Sequence, residues 1–164
     1  MLETVRALAL PDWWIGAGFV RNAVWDHLHG FAPRMPSGDI DVIWFDVVRA
    51  EKFFDEALTT ALRAQRPDLP WSVKNQARMH RRNGDRPYRS SIDAMCHWPE
   101  TATAIALKLN DDGVVELAAP FGVDDLLALV LRPTPHFRAH RLSAYVERQR
   151  AKNWRARWPR LRAL

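Results

Sequence analysis

The most constraining feature of the chain is a short apolar segment, Trp13-Trp14-Ile15. It runs into Gly16-Ala17-Gly18 and then into a stretch of helical periodicity from Phe19 to His29. Val20, Ala23, Val24 and Leu28 share one face of that helix, and Gly30 takes the position of a C-cap. After a loop from Phe31 to Gly38 with two prolines, Asp39 to Asp46 reads as a second strand. A strand, a glycine turn, a helix and another strand predict a sheet with helices packed against it. The rest of the chain extends the pattern. Residues 2–10 predict a short helix, and Ala50 to Arg66 the most regular one, with Phe53, Phe54, Ala57, Leu58, Ala61 and Leu62 at helical spacing. Trp71 to Met79 reads as extended, residues 80–90 as a polar basic loop, and Asn110-Asp111-Asp112-Gly113 as the turn of a hairpin between 103–109 and 114–118. Val123 to Leu131 predicts a helix, separated by Pro133 and Pro135 from a final helix over 138–157. The fold class expected is α/β (α+β), a small mixed sheet flanked by helices.

With 164 residues, 48% of them apolar, the chain has enough material for one real core. Cys96 is the only cysteine, which excludes a disulfide framework and any multi-cysteine zinc site. No apolar run approaches the ~20 residues that span a bilayer. The N-terminal Met1-Leu2-Glu3-Thr4-Val5-Arg6 lacks the charge pattern of an export signal, so a cytoplasmic protein without membrane contact is expected. The eight tryptophans are spread along the whole length, as expected of packing residues. Charge is not spread evenly: residues 132–164 hold 10 of the 24 Lys and Arg and a single acid, Glu147. That contrast suggests a domain over 1–131 with a basic helical extension, 132–164, packed on it.

The chemistry concentrates at Ser37-Gly38-Asp39-Ile40-Asp41. Side chains alternate along a strand, so Asp39 and Asp41 share one face with Cα atoms roughly 6.5–7 Å apart, while Ile40, Val42 and Trp44 face the core. Two neighbouring carboxylates repel unless a cation lies between them, and oxygen donors of this kind suit magnesium or manganese. In the preceding turn Gly16 and Gly18 lack Cβ, so backbone N–H groups can approach a phosphate at the positive end of the following helix. Arg21 lies one turn in. A dinucleotide fingerprint is not present, because Arg21 stands where its third glycine would be.

This arrangement resembles the nucleotidyltransferase superfamily, whose catalytic domain is DNA-polymerase-β-like. Its hallmark is a small-residue turn at a helix start, followed after about twenty residues by paired acids; here Gly18 precedes Asp39 by 21 positions. The segments Phe19–Asp26, Trp71–His80, Trp98–Ala104 and Ala119–Leu126 are further similar to a bacterial family of nucleotidyltransferase-like proteins, over roughly residues 10–160. The resemblance implies transfer of a nucleoside monophosphate from an NTP. Asp39 and Asp41 would be catalytic and hold metal. Gly16, Gly18, Arg21, Ser37, Lys74 and Arg78 would face the nucleotide.

Superfamily members commonly add a third carboxylate from a later strand. In Trp71–His80 there is none: Asn75 stands about where one is expected, and Asp93 is the next candidate. A chain without that acid could keep the fold as a catalytically inactive nucleotide- or RNA-binding protein. If residues 71–79 form one strand, Lys74, Arg78 and His80 share a face beside the acids. Glu100 reads as a cap. The basic C-terminal segment, with Trp154 and Trp158 among its arginines, is a candidate RNA contact, although two tryptophans four residues apart share a helix face and more often dock that helix on the domain.

Overall fold

The computed structural model describes residues 1–163 apart from Ser37; the nucleotide-facing role expected of Ser37 therefore lies outside the described residues. A five-stranded mixed sheet forms the centre, in the order β3-β2-β1-β4-β5. Its strands are β1 (Trp14–Gly16), β2 (Ile40–Trp44), β3 (Trp71–Asn75), β4 (Ala106–Leu109) and β5 (Val115–Ala118). β1 lies between β2 and β4 and is antiparallel to both, while β2 and β3 are parallel. The β4–β5 hairpin turns through Asn110 to Gly113, as expected, with Gly113 at φ +77°.

Alternation along the strands sorts the two faces. Ile15, Ile40, Val42, Trp44, Trp71 and Val73 meet in one core, under α1 (Leu2–Arg6) and α3 (Lys52–Gln65). Trp14, Ile43 and Ala106 face the other side, with Met95 of α5 (Ser91–Met95) and Trp98. The helix α2 (Gly18–Leu28) follows β1 directly, and Val20 and Trp25 anchor a further core with Leu126, Leu129, Leu131, Trp154, Trp158 and Leu161. The indoles of Trp154 and Trp158 stand edge-on to Trp25 at 5.6 and 5.2 Å, so the basic C-terminal residues are carried on apolar anchors.

Three expectations change. The extended stretch stops at Asn75, and Gln76–Asn83 form α4. Asn75 caps it by accepting from the Ala77 N–H, and Gly84, left-handed at φ +66°, closes it; both are ordinary helix boundary signals. The first four residues of the expected basic loop, 80–83, are therefore helical, and Arg78 and His80 do not share a strand face with Lys74. The helix expected over 123–131 shrinks to α6 (Asp124–Leu127), because Leu129 turns left-handed at φ +58° and Val130–Leu131 become β6. β6 pairs in parallel with β7 (Arg162–Ala163). The single final helix is three: α7 (Pro135–His140), α8 (Leu142–Lys152) and α9 (Trp154–Arg157). Pro135 starts α7 at its first turn rather than separating elements. Asn153, at φ +42°, bends α8 into α9, which lets Trp154 and Trp158 both reach Trp25.

Candidate active site

Register places Asp41 at the middle of the sheet, opposite Gly16 of β1 and Ser72 of β3. It is half-buried, and Asp39, just before the strand, is exposed. Burial pushes the Asp41 carboxyl above the usual carboxylate range, and the charge of Asp39 pushes the same way. Lys74, the Ser72 hydroxyl and Arg21 pull it back. An acid destabilised as an anion by its environment is one that an added cation would relieve.

Three hollows meet at this pair. The first, of about 350 Å³, is lined by Gly18, Arg21 and Asn22 of α2, by Asp39 and Asp41, and by the C-terminal cations Arg148, Lys152 and Arg157. A second, of about 300 Å³, joins Asp39 to Lys74 and Arg78. The third, of about 220 Å³, joins Asp41 and Lys74 to the apolar Ile43, Met79 and Trp98.

The turn into α2 is built differently from the glycine reading. Its strained residue is Ala17, at φ +53° and ψ −124°, whose N–H donates to the Ile105 carbonyl at 3.0 Å. Gly18 opens the helix and lines the first hollow; a Cβ there would meet Asn22 and Arg21 only at ordinary contact distance, 3.5 and 3.6 Å. Gly16 does not line it. A Cβ on Gly16 would come within 3.1 Å of Trp98 and 3.2 Å of the Ile105 carbonyl, so packing explains that glycine.

Arg21 lies inside the wall. It is 5% exposed, and burial brings its pKa down to about 10. Its guanidinium donates to Thr103 Oγ1 at 2.7 Å and Asn22 Oδ1 at 2.9 Å, and lies 4.2 Å from the centre of the Trp154 ring. It supplies fixed positive charge beside Asp41. Lys74 donates to Ser72 Oγ at 2.7 Å and borders both smaller hollows.

Other candidates are committed elsewhere. Arg78 pairs with buried Asp55, which also accepts from Trp44 Nε1 and the Asn75 N–H, both at 2.9 Å. Asp93 lies in the first turn of α5, where its carboxylate is gripped by both arms of Arg86 and accepts from the Arg89 N–H; it borders none of the three hollows. Asn75 is fully buried at the end of β3, level with Trp44 and not with Asp41. Its Oδ1 accepts from the Ala77 and Asp46 N–H groups, and its Nδ2 donates to the Asp46 and Arg49 carbonyls. Nothing is left to face a metal, and the β3 residue level with Asp41 is Ser72. Glu100 is no cap: it is fully buried, and its Oε1 accepts from Arg148 at 2.8 Å and Gln149 at 2.9 Å. That the C-terminal segment folds back to wall the cavity was not legible in the sequence; the spacing of Arg148 and Lys152, one helical turn apart, was the available hint.

Among the described residues no group of three or more His, Cys, Asp or Glu comes together to hold a metal. The pair of Asp39 and Asp41 still fits magnesium or manganese. Magnesium commonly takes one or two carboxylates and completes its shell with water and substrate phosphate, and burial together with the charge of Asp39 disfavours the Asp41 anion, which a bound cation would relieve.

Comparison with known proteins agrees with this geometry. A family model described as Nucleotidyltransferase matches residues 3–163. A protein whose NMR structure reveals a CCA-adding enzyme head domain is 38% identical, with 99% of this chain and 86% of that one covered and a TM-score of 0.89. The Thermotoga maritima CCA-adding enzyme complexed with tRNA is 17% identical over 99% of this chain, TM-score 0.60. A tRNA nucleotidyltransferase complexed with a primer tRNA and an incoming ATP analogue is 18% identical over 96%, TM-score 0.57. This chain spans 37% and 46% of those two longer proteins, and they share its fold. No curated protein matches the chain. With the family match running nearly end to end around the Asp39–Asp41 pair, the chain belongs to the nucleotidyltransferase family.

Proposed function

We propose that the protein transfers a nucleoside monophosphate from an NTP to the hydroxyl of an RNA end, using magnesium or manganese held by Asp39 and Asp41. The observation that carries this reading is the convergence of both carboxylates, the start of α2 and the cations of α8 on one cavity. The RNA acceptor is supported by the excess of basic side chains in residues 132–164 and by the tRNA-bound relatives of the same fold.

In the proposed reaction the acceptor oxygen bonds to the α-phosphorus, the bond to the bridging oxygen breaks, and pyrophosphate leaves. The acceptor proton is released to solvent. The bound metal would neutralise phosphate charge and polarise the reacting oxygens. Asp41, on β2 between β1 and β3, would hold the metal, with Asp39 as the exposed second carboxylate. Gly18 leaves the entrance of α2 uncovered, and buried Arg21 holds positive charge behind it. Lys74 moderates the charge of Asp41.

Incubating the protein with labelled NTPs, manganese and cellular RNA should label RNA, and an Asp39→Asn, Asp41→Asn variant should label nothing. Unchanged manganese affinity of that variant in calorimetry would refute the assignment of the acids. One observation favours a second reading, a catalytically silent nucleotide binder: Ser72 and Lys74, not a carboxylate, flank Asp41 on β3. Manganese-dependent NTP binding without transfer to any acceptor would select it.

A further inference from the structure

We propose that Arg148 and Lys152 of α8 grip the terminal phosphates of the bound NTP, with Glu100 as the positioning residue for Arg148. The inference rests on the nucleotide reading above and adds a wall that the acids and the α2 turn do not provide.

Arg148 and Lys152 are four residues apart, hence on one side of α8, and both border the hollow that holds Asp39 and Asp41. Arg148 also borders the apolar hollow, so it stands where the two join over Asp41. Its Nε donates to Glu100 at 2.8 Å. Among the described residues its two terminal nitrogens carry no hydrogen bond, and Lys152 has neither hydrogen bond nor ion pair. Among the described residues, the terminal nitrogens of Arg148, whose Nε alone is bound to Glu100, and the unpartnered Lys152 therefore face a cavity that already holds the carboxylates a metal needs.

Glu100 explains why Arg148 is held there. Its side chain is fully buried, Oε2 has no partner, and Oε1 is bound by Arg148 and Gln149. A buried carboxylate of this kind requires its cation, which keeps the guanidinium at the mouth without consuming its terminal nitrogens. A triphosphate carries one charge more than a diphosphate and about two more than a monophosphate in the region the cations border, so affinity should climb with phosphate number. An RNA backbone offers single phosphodiester charges and no such climb.

The test is calorimetric titration of ATP, ADP and AMP with calcium present, and of a single-stranded RNA 20-mer. Wild-type protein should favour ATP over AMP. Lys152→Ala, an exposed side chain with no partner, should weaken ATP about tenfold, ~1.4 kcal/mol, with AMP changed less than twofold. Arg148→Lys should keep part of the preference, and Glu100→Gln should lower it at unchanged thermal stability relative to a Glu100→Gln, Arg148→Met double variant. An ATP-to-AMP ratio unchanged in Lys152→Ala and Arg148→Lys overturns the grip, and so does RNA affinity falling while ATP affinity holds. No ATP binding by the wild type would overturn the nucleotide reading itself, a separate result from either.

Discussion

Replacing Trp158 by Phe tests whether the basic C-terminal segment is part of the core that carries the site. Trp158 is 2% exposed, donates from Nε1 to Asp26 Oδ1 at 2.8 Å, and stands edge-on to the fully buried Trp25. Phe keeps most of the ring contact and loses the hydrogen bond to a carboxylate, a loss of about 1.5–3 kcal/mol. Asp26 remains paired with both arms of Arg34 and with Arg157, which favours the lower end, so about 2 kcal/mol is expected. Ala removes the ring as well, worth about 3–5 kcal/mol on its own, and approaches the whole stability of a domain that holds roughly 5–15 kcal/mol. At about 2–4 °C per kcal/mol for a chain of this size, the Phe variant should melt about 4–8 °C below wild type. Urea unfolding followed by circular dichroism should give a lower midpoint with an unchanged slope. A Phe variant within about 0.5 kcal/mol of wild type would refute the argument, since such a small change is what a loosely attached tail gives.

The raised pKa of Asp41 sets a sign. Below the ordinary aspartate pKa of 3.8 both folded and unfolded chains are protonated there; as pH rises the unfolded chain releases its proton first, so Asp41 lowers stability up to its raised folded pKa and at every higher pH. Asp41→Asn should therefore raise the melting temperature at pH 7 while abolishing manganese binding, and wild-type metal affinity should strengthen as pH rises through that pKa; equal stability of the two proteins at pH 7 counts against it. Ala17→Gly should stabilise by about 1 kcal/mol in urea titration, because the left-handed φ of +53° costs an alanine and not a glycine. Asn75→Asp should destabilise by about 3 kcal/mol and restore no metal ligand, because a carboxylate cannot donate to the Asp46 and Arg49 carbonyls; a gain in manganese affinity would contradict the buried cap.

Local pattern carried the acids a long way. The alternation from Asp39 to Trp44 already separates the two carboxylates from the core residues Ile40, Val42 and Trp44, because a strand reverses its side chains at every residue whatever it pairs with. The same holds for the hairpin at Asn110–Gly113 and the helix over 52–65, each written in its own residues. Tertiary structure decided what those elements face. Asn75 could be mistaken for a vacant acid position until the register set it beside Trp44 and put Ser72 beside Asp41. Gly16 looked like a phosphate-facing glycine, yet Trp98, which has no local relation to it, occupies the room that its Cβ would need. Composition suggested a basic extension packed on the domain but not where it packs; Trp154 and Trp158 set it against Trp25, and Arg148 and Lys152 line the cavity. Periodicity is a property of consecutive residues and survives without the fold. Register, close packing and the wall of a cavity are relations between residues as far as 132 positions apart, and only the folded chain sets them.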